Sequence, residues 1–172
     1  MPKYLNDFDP QSVPSPSFVV DKRALQHNLN ILRNVQEQSG AKILLAIKSF
    51  AMYDSFPLMR DSLAGICSSS VNETLLGHRE FNKEVHAFAP AYKKEDLIQH
   101  LDHCDHLVFN SYSHWLHHQK TVLDHPRNVS IGLRVNPMHS ETEVDLYNPC
   151  APGSRLGLLP QSLEGQDLSD IE

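Results

Sequence analysis

The sequence predicts an α/β fold built on a parallel sheet, and three features carry that prediction. Short apolar runs centred near residues 19, 45, 66, 87, 108 and 132 recur at intervals of roughly 20 to 25 residues. Segments with apolar residues at helical spacing separate them, and no β-hairpin signature interrupts the alternation. Strands that alternate with helices pair in parallel, because each crossover must return the chain to the same edge of the sheet. About six βα units are expected. Two shapes fit that count, a doubly wound sheet or a closed barrel. A barrel needs eight units and typically about 250 residues, so six would complete the first and leave the second open.

The elements follow in order. Residues 1–16 are polar and hold Pro2, Pro10, Pro14 and Pro16, which reads as an N-terminal arm. Ser17–Val20 is the first expected strand. Asp21 is an N-cap, and Leu25, Leu29 and Leu32, widened by Ile31 and Val35, make the apolar stripe of a helix ending near Gly40. Ile43–Ile47 is an unbroken apolar run, as a strand buried on both faces requires, and Lys48 follows it. A helix lies within Met52–Leu63, started or interrupted by Pro57. Ala64–Cys67 is a weak strand, and Ser70 with Glu73 forms a capping box for the next helix. Val85–Ala89 is a strand closed by Pro90, followed by a helix over Lys93–Leu101. His106–Phe109 is a strand, with Asn110 and Ser111 as a capping pair for the helix Tyr112–Leu123. Val129–Val135 is the sixth strand. Residues 136–172 hold four further prolines and little periodicity. Asp167–Glu172 reads as the lead-in to another element, so the chain is expected to be a piece of a longer domain.

Composition narrows the function classes. At 40% apolar and 21% charged residues the chain is an ordinary globular protein, and its formal net charge of -6 argues against nucleic acid, which selects a basic face. It suits a cationic substrate, although many enzymes of neutral substrates are as acidic. Cys67, Cys104 and Cys150 have no metal-binding or redox spacing and are expected as free thiols. No stretch has the length of a membrane span. Cytoplasm is the expected compartment.

Lys48 is the main candidate for chemistry. Parallel α/β folds place reactive groups at the C-terminal ends of their strands. A lysine there, beside an apolar strand, is partly desolvated, which favours the free amine that can hold a carbonyl compound as a Schiff base. The same residue could equally snorkel to solvent. Ser68, Ser69 and Ser70 stand at the next strand end, where they either face a site or simply cap a helix. Arg134 lies inside an apolar strand on the small-residue face of Ser130 and Gly132; it either points over a barrel axis or pairs with an acidic side chain. Ser154–Leu158 follows a proline-bounded loop and is a weak signal alone. His100, His103 and His106, and the group His114, His117 and His118, do not share a helical face at metal-site spacing; they are read as surface histidines, and no metal is expected.

Three stretches resemble a known family. Ser17–Asp21, Leu45–Phe50 and Ser69–Glu73 are similar to the opening of the fold-type III pyridoxal phosphate (PLP) enzymes, the alanine racemase and ornithine/diaminopimelate decarboxylase group. Ala46–Phe50, Leu133–Pro137 and above all Tyr147–Gly157 resemble the carboxynorspermidine/carboxyspermidine decarboxylases within that group. The resemblance implies that residues 17–172 are the N-terminal portion of a PLP-binding (β/α)8 barrel, with the rest of the barrel and a C-terminal β domain lying outside this chain. It implies a homodimer, a cationic amino-acid substrate and decarboxylation to norspermidine or spermidine in polyamine biosynthesis. Lys48 matches the lysine that carries PLP. Arg134 matches an arginine beneath the pyridine ring, and Ser70 and Glu73 match a turn beside the cofactor. The histidine that stacks on the ring, the glycine-rich phosphate loop and the acid that pairs with the ring nitrogen have no match here, so the chain alone is expected to be inactive. Other amino-acid decarboxylases and racemases on the same scaffold, and a non-catalytic PLP-binding barrel, are the alternative readings.

Overall fold

A computed structural model describes residues 8–172. The first seven residues of the expected arm lie outside the described part. Among the described residues the sheet has five strands, not six: β1 (Leu44–Ala46), β2 (Gly65–Ser68), β3 (Glu84–Phe88), β4 (His106–Phe109) and β5 (Ser130–Leu133). All pair in parallel, in the order β1-β2-β3-β4-β5. A doubly wound sheet reverses its strand order at a switch point, and this one does not. Strands added one after another in a single direction make the wall of a barrel.

The missing strand is Ser17–Val20. These residues form no strand, and Phe18 is fully exposed. An apolar run becomes a strand only where a neighbour completes its hydrogen bonds; Phe18–Val20 share a pocket with Ser49–Met52 but no ladder joins them.

The helices form where the sequence predicts them. In α1 (Lys22–Ser39) the Asp21 carboxylate accepts from the Arg23 and Ala24 N–H groups, and Gly40 ends the helix in the left-handed conformation at φ 72°. Pro57 starts α2 (Phe56–Arg60) rather than breaking it. It does so because the first turn of a helix needs no N–H from that position. The helix α3 (Val71–Leu76) runs into a wider turn, Gly77–Phe81. Two longer helices, α4 (Lys94–His103) and α5 (Tyr112–Leu123), complete the layer. Among the described residues no helix is long and apolar enough to cross a membrane.

Alternation along the strands divides the sheet into two faces. Ile47, Ile66, Val85, Ala87, Leu107, Phe109 and Ile131 point at the helices and are buried against Leu29, Phe56, Phe81, Leu97, Leu101 and Trp115. Burying each large side chain contributes roughly 1.5–3 kcal/mol. The other face carries Ala46, Cys67, His86 and His106 side by side in register, then Phe88, Val108 and Gly132 one layer up. None of those seven is buried.

Glycine permits the closest approaches. A Cβ on Gly77 would stand 2.5 Å from Ile66 Cγ1, so α3 can lie on β2 only without one. At Gly65 a Cβ would meet the Glu84 carbonyl oxygen at 2.1 Å. Backbone cannot rotate aside as a side chain can. Gly65→Ala is therefore expected to destabilise the fold by about 3 kcal/mol, read as a lower urea midpoint; an unchanged midpoint would refute this account of β2–β3 packing.

Candidate functional site

The C-terminal ends of five parallel strands make one edge, and the candidate residues lie along it. At the end of β1 the ladder continues one bond further, from the Ile47 N–H to the Cys67 carbonyl at 3.2 Å. The chain then turns tightly, with the Ser49 and Phe50 N–H groups both donating to the Ala46 carbonyl. Ile47 is driven into the core and Lys48 is thrown outward, exposed. The desolvation expected of Lys48 is therefore absent, because the residue lies beyond the strand and not within it. Its amine makes no hydrogen bond or ion pair among the described residues.

At the end of β2 the capping box forms with a shifted partner. Ser70 Oγ accepts from the Glu73 N–H at 3.3 Å, and the Glu73 carboxylate reaches back past the cap to the Ser69 N–H at 2.7 Å and the Ser69 hydroxyl. Both side chains are thus occupied in holding the start of α3. Beneath them runs a buried polar chain that the sequence reading missed. Ser68 Oγ and Thr74 Oγ1 are bonded at 2.7 Å, and Thr74 Oγ1 and His100 Nδ1 at 2.8 Å. It ties β2, α3 and α4 together. His100 and His118 are only 2% and 5% exposed. The expectation of surface histidines fails for both, because their rings fill the helix layer.

Arg134 lies just beyond β5 rather than inside it, its N–H donating to the Phe109 carbonyl. Its guanidinium stands 4.8 Å from the centre of the Phe88 ring at the end of β3. The guanidinium thus lies on the face of Phe88 and Gly132, away from the helices, against an aromatic ring and with no ion pair among the described residues. Past Arg134, Val135 bridges to Leu158, with the Leu158 N–H on the Arg134 carbonyl and the Asn136 N–H on the Leu158 carbonyl. Asn110 clamps that crossing. Its amide donates to the Arg155 carbonyl at 2.8 Å, and its oxygen accepts from the Gly157 N–H at 2.8 Å. Gly157 takes φ 80° and approaches so closely that a Cβ would sit 2.9 Å from the Asn136 nitrogen. Ser111 alone is the N-cap of α5. Asn110, expected beside it in a capping pair, holds the crossing instead, and the sequence signal for that role is its position one residue past an apolar strand.

The candidates are spread along the edge. Lys48 follows β1 and Arg134 follows β5, so four inter-strand steps separate them, about 19 Å along the sheet. Between them stand Ser69–Glu73 and Phe88. Beyond β5 an open groove of about 520 Å3 is lined by Asn136, Met138, Cys150–Ser154, Gly157 and Leu159.

Three curated relatives are similar to this chain. The carboxyaminopropylagmatine decarboxylase of Synechocystis sp. is 41% identical over 93% of the chain and 41% of the relative. The carboxynorspermidine/carboxyspermidine decarboxylase of Herminiimonas arsenicoxydans is 40% identical over 84% of the chain and 39% of the relative. The enzyme of the same name from Campylobacter jejuni is 32% identical over 94% and 41%. The chain is homologous to the carboxynorspermidine/carboxyspermidine decarboxylases. It spans about two fifths of the length of the curated relatives it matches. In three dimensions it matches C. jejuni carboxynorspermidine decarboxylase, solved with norspermidine, with a TM-score of 0.79 and 29% identity over 93% of the chain and 40% of that structure. Diaminopimelate decarboxylase from M. jannaschi, at 0.60 and 18% identity over 81% and 34%, shares the fold. No family model matches.

Burial holds the His100 imidazole below its ordinary pKa, opposed by the Asp96 charge. In the folded chain it stays neutral where the unfolded chain, titrating near 6.5, takes up a proton. The stability it contributes is complete above that value and is lost as the pH falls through the lower folded-state pKa. His86, His114 and His118 are displaced the same way, burial again being the largest cause. The urea midpoint is expected to fall between pH 7.5 and pH 5, and less steeply in His100→Gln. Equal slopes for the two proteins would remove His100 from the account.

Proposed function

We propose that this chain carries the lysine-bearing part of a PLP-dependent decarboxylase whose substrate joins an α-amino-acid head to a cationic polyamine-like tail. One observation carries the reading. Lys48 is exposed and unpartnered at the C-terminal edge, in a chain 32–41% identical to three decarboxylases of such amines. Carboxynorspermidine, carboxyspermidine and carboxyaminopropylagmatine, the compounds in those relatives' names, share head and tail. The product would be the corresponding amine in polyamine biosynthesis. Residues 17–172 would be the N-terminal portion of the barrel, within a cytoplasmic homodimer.

The residues present fit one end of the cofactor. An unpaired primary amine is what an aldehyde needs for attachment, and Lys48 supplies it. When bound, PLP supplies an electron sink for the pair left behind as the carboxylate departs as CO2. The chain's own groups do the rest. Lys48 would hold the aldehyde through its primary amine, an attachment that releases water and is reversible. Arg134, steadied on Phe88, places a fixed positive charge on the same edge. Ser70 and Glu73 act one step removed: their mutual capping fixes the turn after β2, and the Ser68–Thr74–His100 chain fixes it from below.

Incubation with PLP, borohydride reduction and peptide mapping checks the assignment. The label is expected at Lys48 in preference to Lys42, Lys93 or Lys94, and to disappear from that peptide in Lys48→Ala. Decarboxylation of carboxynorspermidine, carboxyspermidine or carboxyaminopropylagmatine by the full-length protein is expected to fall to background in the same variant. Labelling scattered over the surface lysines would sink the role given to Lys48.

A further inference from the structure

A closed ring of hydrogen bonds stands at the end of β5, and the decarboxylase reading gives it no purpose. The Arg134 N–H donates to the Phe109 carbonyl at 2.9 Å, and the Arg134 carbonyl accepts from the Leu158 N–H at 2.9 Å. Phe109 is followed by Asn110, whose Oδ1 accepts from the Gly157 N–H at 2.8 Å. Gly157 is followed by Leu158, and the circuit returns to Arg134. The Asn110 amide nitrogen takes a second grip on the same segment, donating to the Arg155 carbonyl at 2.8 Å. Every bond of the ring lies within this chain, so the ring does not depend on what covers the sheet.

The residue types suit this task. A planar amide offers an acceptor and a donor side by side. Aspartate would offer the Arg155 carbonyl no donor, and glutamine would carry the amide one methylene further. An asparagine in this position ordinarily bonds to backbone close by in sequence. Asn110 instead bonds to Arg155 and Gly157, 45 and 47 residues along the chain, and leaves the capping of α5 to Ser111. Gly157 permits the close approach. A Cβ there would stand 2.9 Å from the Asn136 nitrogen and 3.2 Å from the Arg134 carbonyl oxygen, so the segment lies directly on the Arg134 peptide. At the other end of the same residue the guanidinium rests 4.8 Å from the Phe88 ring centre. Backbone ring and aromatic face together fix where the charge stands.

We propose that Asn110 is a positioning residue for Arg134. By holding Arg155 and Gly157 it sets the Arg134 backbone, and with it the place of the cation on the cofactor edge. The proposal rests on the decarboxylase reading, in which that cation serves the PLP site. If Asn110 were only a tether for the Ser154–Leu158 segment, its loss would cost stability and nothing else.

The full-length protein, stripped of PLP and reconstituted, tests this. PLP affinity is read from the absorbance of the bound cofactor, and kcat and KM from release of CO2. Asn110→Ala is expected to weaken PLP binding about tenfold. It should lower kcat at saturating PLP by about ten- to a hundredfold, with a smaller change in KM. In an Arg134→Gln background the same substitution should add almost nothing, because its effect passes through Arg134. Ser111→Ala, which removes the neighbouring helix cap, should lower the urea midpoint and leave PLP affinity and kcat unchanged. Asn110→Ser, which is too short for either bond but stays polar, gives a second variant should Asn110→Ala unfold. A loss of stability in Asn110→Ala with PLP affinity and kcat intact would overturn the proposal, as would full additivity with Arg134→Gln. Failure of the underlying reading looks different: the unsubstituted protein would then take up no PLP at Lys48, and the role of Asn110 would fall with it.

Discussion

The cross-strand register of the parallel sheet is the constraint on which everything else rests. One set of side chains, Ile47, Ile66, Val85, Leu107, Phe109 and Ile131, is committed to the helix layer. Because alternation has a period of two, the opposite set is committed to the other face. A slip of one residue in β3 would exchange Val85 for His86 in the core and leave a polar ring among Phe81, Leu97 and Leu107. The apolar commitment thus decides where the polar residues go. It lines His86 up with His106, and it brings Lys48, Ser69 and Arg134 out on one edge at the strand ends. Gly65 and Gly77 serve the same end, since the chain passes too closely at both places for any side chain.

Much of this was legible in the sequence, and the exceptions share a cause. β4 has the boundaries expected of it, because four apolar-leaning residues sit between an acidic loop and a capping serine, signals that all lie within the segment. Asp21, Gly40 and Ser70 cap their helices for the same local reason. Ser17–Val20 was misread because pairing is not local: the run has the composition of a strand and no ladder joins it. Arg134 shows the same limit. Its sequence neighbours say that the charge needs a partner, but the partner is Phe88, a ring two strands away in register. Asn110 and the buried Ser68–Thr74–His100 chain were missed because each joins elements that only the fold brings together. Interactions within one segment were readable, and those between segments were not.

The two faces of the sheet differ in what stabilises their polar groups. In the helix layer, His100 is nearly sealed from water, so its bonds to neighbours are costly to leave unmade. That polar chain consequently behaves as structure. On the other face, Glu84 pairs with Lys42 and His86 while keeping part of its surface in solvent, so these contacts contribute less.

The same distinction bears on Lys48. The apolar strand was expected to desolvate the lysine, yet the strand ends before it and the turn carries its side chain outward. Whatever removes water from that amine must therefore come from above the edge and not from the sheet below. Arg134 points to the same conclusion from the far end of the sheet. Its guanidinium is held on Phe88, with no carboxylate among the described residues to neutralise it. A cation held on Phe88 at one end of the edge and an unpartnered amine at the other are the features on which the proposed attachment of an anionic aldehyde rests. The edge is a platform whose chemistry depends on what covers it.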